Sequence, residues 1–85
     1  MATYKILSWQ EVPSQIKAED AQDDVTVMMP DRFMVRIDQL AAARGLSGAD
    51  DYLAEWHWSE DVDRPGTAQT VADAVRAELE AAADW

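Results

Sequence analysis

Apolar residues alternate with polar ones early in the chain and recur at three- and four-residue steps in two later stretches, so the pattern asks for strands first and helices afterwards. Thr3 to Trp9 sets Tyr4, Ile6, Leu7 and Trp9 among Thr and Lys, residue types that suit a half-buried pleated surface, and is predicted as a strand. Pro13 has no amide proton to offer a ladder, so the chain is expected to bend or bulge there before resuming as Gln15-Ile16-Lys17-Ala18. Glu19 to Asp24 is polar and turn-like, and Val25 to Met29 alternates well enough for a second strand. The two arms read as a hairpin with an acidic, glycine-free tip.

Pro30-Asp31 opens a helix, proline suiting the first turn and Asp31 being placed to cap free amides and to complement the helix dipole. Phe33, Ile37, Leu40 and Ala41 form its apolar stripe, and Gly45 ends it as the residue best able to take a left-handed cap. Arg32, Arg36 and Arg44 lie off the stripe on a solvated face. Leu46 to Asp51 is a connector in which Ser47 is a plausible cap. Tyr52 to Trp58 alternates, with Tyr52, Ala54, Trp56 and Trp58 on one face, and is predicted as a third strand; a helix through Asp50 to Trp56 is the rival, because Leu53 and Trp56 stand three apart. Ser59 to Gly66 reads as a loop closed by Pro65-Gly66. Thr67 then caps a helix from Ala68 to Ala82, with Val71, Ala74, Val75, Leu79 and Ala82 on its stripe; Trp85 either frays or docks back. The expected architecture is α+β: a single two-layer domain over residues 1–85, in the order β-β-α-β-α, with a small three-stranded sheet and two helices packed on one face.

Composition narrows the chemistry. The 85 residues carry 17 acidic against 7 basic side chains, a formal net charge of -10, which argues against nucleic acid and anionic membrane surfaces as partners. No run approaches the length of a membrane-spanning helix, and the first ten residues lack the form of a signal peptide, so a cytoplasmic protein is expected. Cysteine is absent, which removes disulfides, thiolate metal sites and thiol nucleophiles together. Hydrophobic residues make up 48% of the chain, but 15 are alanines, so large core formers are scarce. The acidity is spread over the hairpin tip, both helices and the 59–64 loop, with 11 Asp, 6 Glu and only two lysines. That dispersal points to a halophilic or salt-rich setting, in which exposed carboxylates hold water and their repulsion is screened.

Candidate sites are few. The one histidine, His57, lies opposite Trp56 and Trp58 on the expected strand, and no serine spacing supports a nucleophile around it, so no catalytic residues are assigned and the chain is not expected to be an enzyme. Glu60, Asp61 and Asp63, with His57, form an alternative site for a hard divalent cation or a small molecule, though the calcium-loop pattern is not met. No cofactor is called for. Four tryptophans in 85 residues are many. Trp56 and Trp58 form either the core layer or an exposed aromatic strip, the scarcity of large apolar residues favouring core. Trp9, Trp56, Trp58 and Arg64 are the candidate partner-binding residues, since an exposed tryptophan beside a charged group commonly anchors a protein interface. The expected partner is another protein, with a homodimer through a free sheet edge as a further route.

Tyr4, Trp9, Pro13 and Gln15, then Pro30-Asp31-Arg32-Phe33, then Asp50-Asp51-Tyr52-Leu53 with Trp56, followed by Arg64-Pro65-Gly66-Thr67, together resemble the small virulence factor domain family. In that family a YxxxxWxxxPxQ opening precedes LPxRF, DxYLxxW and a short helical tail. Met29 stands here where the family pattern has leucine. The resemblance spans nearly the whole chain. It implies a domain that occurs alone and as a segment of conserved virulence factor C, without an established reaction or cofactor. It also implies an accessory role linked with one-carbon and methyl-transfer metabolism.

Overall fold

A computed structural model describes residues 1–46 and 48–83. Three strands come first, β1 (Ala2–Trp9), β2 (Val12–Glu19) and β3 (Asp24–Met28), followed by helices α1 (Asp31–Ala43) and α2 (Ala49–Ala54). Two short strands, β4 (Trp56–Trp58) and β5 (Val62–Arg64), then lead into α3 (Ala68–Ala82). All pairings are antiparallel in the order β3-β2-β1-β4, and β5 also pairs with β1, so β4 and β5 share one edge of that strand. The α+β class holds; the count is five strands and three helices where three and two were expected.

Three local causes account for the difference. The chain reverses at Gln10-Glu11, splitting the first expected arm into two paired strands. Gln10 takes φ 51°, a positive value normally supplied by glycine or asparagine in such hairpin turns. It is held there from outside: its amide donates to the Glu55 carbonyl at 3.2 Å, and its side-chain oxygen accepts from Arg44.

The expected Tyr52–Trp58 strand divides into α2 and β4, so the rival helix holds from Asp50 to Ala54 and the strand from Trp56 to Trp58. Asp50 and Asp51 sit in the first turn of α2, where the helix dipole favours negative charge. Six residues do not sustain a helix in water. This one is fastened by Tyr52, whose ring stacks on Trp9 at 5.7 Å and whose carbonyl accepts from Trp9 Nε1 at 2.9 Å. The expected 59–66 loop contains β5, whose three residues pair with Tyr4, Thr3 and Ala2. The Ser47 cap and the docking of Trp85 fall outside the described residues.

Helix α1 begins at Asp31 without a side-chain cap, so Asp31 acts as a first-turn acid and not as the cap expected of it. At its other end Gly45, at φ 70°, closes a Schellman arrangement in which the Leu46 amide donates to the Ala41 carbonyl at 2.8 Å and Gly45 to Ala42 at 3.3 Å. Thr67 caps α3 as expected: its hydroxyl accepts from the Thr70 amide at 3.2 Å, and Thr70 Oγ1 accepts from the Thr67 amide at 3.0 Å. Asp20 adds a third fastening, accepting from the Ala68 amide at 2.8 Å and from Gln22 and Asp23 within its own turn. One carboxylate thus shapes the β2–β3 tip and covers the start of α3.

The main core lies between α3 and the first three strands. Val71 and Val75, with Ala68 and Ala72, are buried on the helix, and Ile16, Ala2 and Ala18 on the sheet, so small residues let helix and sheet approach closely. Phe33, Ile37 and Ala41 of α1 extend it. Ala2, Tyr4 and Ile6 alternate along one side of β1, leaving Thr3, Lys5, Leu7 and Trp9 along the other. At Leu7/Ser8 the register shifts by one, bringing buried Val12 opposite Trp9 in place of Pro13. Pro13 turns instead to a recess shared with Phe33 and Leu79. Among the described residues no helix is long and apolar enough to cross a membrane.

Candidate functional site

Antiparallel pairing sets partners on the same side of a sheet, and it draws the side of β1 away from α3 into transverse rows. The first row is Trp56, Trp9 and Val12. The second is Trp58, Leu7, Gln15 and Met28, crossing four strands. The third is Lys5, Lys17 and Thr26, and the fourth is Asp63, Thr3, Glu19 and Asp24. Successive rows lie about 7 Å apart along the strands.

The first row is the most fully covered. Trp9 is fully buried, beneath Tyr52 of α2, and Trp56 meets the Tyr52 ring edge-on at 6.0 Å. These two indoles belong to a packed aromatic cluster, so Trp9 is withdrawn from the partner-binding set by its burial and Trp56 is half withdrawn. Trp58 stands one row further on, beyond the reach of α2, and is 42% exposed. Met28, at the far end of its row, is 57% exposed and lines an apolar recess of about 220 Å³ with Met29, Phe33 and Met34. Arg64 turns the other way: it forms a two-bond pair with Glu78 of α3 at 2.6 and 3.0 Å, fixing β5 to the helix layer. The structure therefore separates Trp58 from the other three residues proposed with it.

The cation alternative is not gathered into a site. His57 pairs with Ser8 and Asp63 with Thr3, which lie on opposite sides of β1, while Glu60 and Asp61 occupy the turn between β4 and β5. Asp63 accepts from Thr3 Oγ1 at 2.8 Å. Among the described residues no group of three or more His, Asp or Glu side chains is close enough to hold a metal ion.

The two lysines are the residues that sequence reasoning missed. The ion pairs Arg44–Glu11, Arg64–Glu78 and Arg76–Glu80 are all made by arginine. The Arg44 and Arg64 guanidinium groups hold Glu11 and Glu78 below the ordinary carboxylate range through their hydrogen bonds. Lys5 and Lys17 take part in none of these pairs and are register partners across β1 and β2. Lys5 Nζ lies over the Trp58 ring, 4.5 Å from its centroid, so the aromatic and basic rows are joined. The sequence signal for this site is the rarity of lysine combined with odd-numbered positions in alternating segments. It becomes legible only once the Gln10-Glu11 reversal is known.

A family model described as "Virulence factor" matches residues 7–84. No curated protein matches the chain, and no solved structure does.

Proposed function

The chain belongs to the virulence factor family, and from that footing we propose that it is a non-catalytic accessory module that binds another protein on the side of the sheet turned away from α3. The observation that carries this reading is Trp58: an exposed indole at the edge of an apolar row, in a chain whose Trp9 is fully buried and whose Trp56 is half-buried. A large apolar side chain left uncovered beside charged residues has the composition of an interface anchor. The Leu7, Gln15 and Met28 positions extend the same row and leave room for a partner to lie flat across four strands.

Capture of partners from native lysate by the wild-type protein, by Trp58→Ala and by Leu53→Ser tests the reading. Leu53 is 63% exposed on α2 and controls for general stickiness. The expected outcome is a captured protein that is lost with Trp58→Ala and kept with Leu53→Ser. Equal capture by all three overturns the reading.

A further inference from the structure

We infer that the occupant of this sheet face is an amphipathic helix of another protein, laid along the strands, that presents an apolar residue, then an acidic one, then a basic one at successive turns. The inference rests on the interaction reading above and specifies the partner's chemistry. Its basis is the order of the rows, half-buried along β1 and exposed toward the edges: Trp58, Leu7 and Met28 with Gln15 among them, then Lys5 and Lys17, then Asp63, Glu19 and Asp24 with Thr3 among them.

Such an order is hard to explain as a solvated surface. With 17 acids in the chain, a lysine placed for stability alone would be expected in an ion pair with one of them. Instead both lysines are directly opposite each other, and neither forms one of the ion pairs found among the described residues. A carboxylate brought over this row from outside would gain charge-assisted contacts with the two amines. The acidic row behind them then calls for a cation one step further on.

Helical geometry suits these spacings. Positions i, i+4 and i+8 of a helix are about 6 Å and 12 Å apart, against about 7 Å and 14 Å between the rows, a mismatch that Glu and Lys side chains absorb. A partner strand, by contrast, would bind at an edge through its backbone and would not read the face. The opposite face of the same sheet already accepts a helix, α3. A second copy of this chain is a poor occupant, because each copy carries a net charge of -10 and the pair would repel.

The probes are two synthetic helical peptides, one with Leu, Glu and Lys at i, i+4 and i+8, the other with the Glu and Lys exchanged. Titration of the isotope-labelled protein followed by amide chemical shifts gives both the site and the affinity. The first peptide is expected to shift Lys5, Leu7, Gln15, Lys17 and Trp58, and to bind at least tenfold more tightly than the second. In a Lys5→Glu, Lys17→Glu double variant, its fold checked by circular dichroism, both charged rows are acidic, each peptide meets one matched and one mismatched row, and the preference is expected to disappear. Equal affinities, shifts centred elsewhere, no binding by either peptide, or an unchanged preference in the double variant overturns the inference. If the lysate partner is nevertheless lost with Trp58→Ala, only the charge order fails; if that partner is kept as well, the interaction reading falls too.

Discussion

Trp9 and Trp58 occupy neighbouring rows on the same side of the same sheet, and they meet opposite fates. Trp9 is sealed by a stacked tyrosine and has its indole nitrogen satisfied by a carbonyl. Trp58 has a lysine ammonium over its ring and solvent beyond. The strand pattern treats both alike, since each is an aromatic residue at a position of the same parity. What separates them is a six-residue helix that covers one row and stops short of the next. Burial on this side is thus decided by an element too short to announce itself, and the row just past its edge is where function is to be sought.

The comparison breaks most visibly at Trp9. Trp9→Ala removes a fully buried indole and is expected to cost about 3–5 kcal/mol, a large share of the roughly 4–13 kcal/mol typical of a domain this size; urea denaturation reads the loss. Removing the cover and leaving the indole is the next test. Tyr52→Ala is expected to cost about 2 kcal/mol and to shift tryptophan emission to the red as Trp9 becomes wet, whereas an unshifted spectrum would mean that α2 is not what shields it.

On the helix side, Thr67→Ala is expected to cost about 1 kcal/mol by leaving the Thr70 amide without its acceptor, measured by the same denaturation. Asp20→Asn acts on the same helix start with a pH signature. Hydrogen bonds from the Ala68, Gln22 and Asp23 amides hold the Asp20 carboxyl below its ordinary range, so its contribution is present above about pH 4 and is lost as the pH falls through the lowered value. The melting temperature of Asp20→Asn is therefore expected below that of wild type at pH 7, the gap closing in stronger acid. A gap that stays constant down to pH 2 would show that the carboxylate charge is not involved. The smallest effect is reserved for Trp58→Ala, expected to cost about 0.5–1 kcal/mol, the scale of the Lys5 contact on its partly exposed ring. A cost comparable to that of Trp9→Ala would place Trp58 in the core and remove the basis for a docking role.

These two tryptophans also mark how far the fold was legible in the sequence. Helix α3 was plain, because a threonine cap, a Pro-Gly stop before it and an unbroken apolar stripe all agree. Gly45 marked the end of α1 equally well. The Gln10-Glu11 reversal was hidden, because the positive φ at Gln10 is enforced by Glu55 and Arg44, residues far along the chain, and not by local glycine. Tyr52 to Trp58 satisfied the strand and helix periods at once, and the tie was broken by Trp9, a tertiary contact. Strand β5 offers three residues, too few to show any period. For the same reasons the candidate site was half visible: Trp58 could be singled out by its type, whereas the lysine row exists only through the register of β1 against β2.

That register has a chemical consequence. Lys5 and Lys17 are the only side-chain primary amines in the chain, and they stand opposite each other on adjacent strands. Acylating reagents, amine-coupling surfaces and lysine-directed cross-linkers accordingly have, apart from the α-amino group, a single address on this molecule, and it is the face beside Trp58. Acetylation of both would move the net charge two units further from zero and erase the basic row entirely.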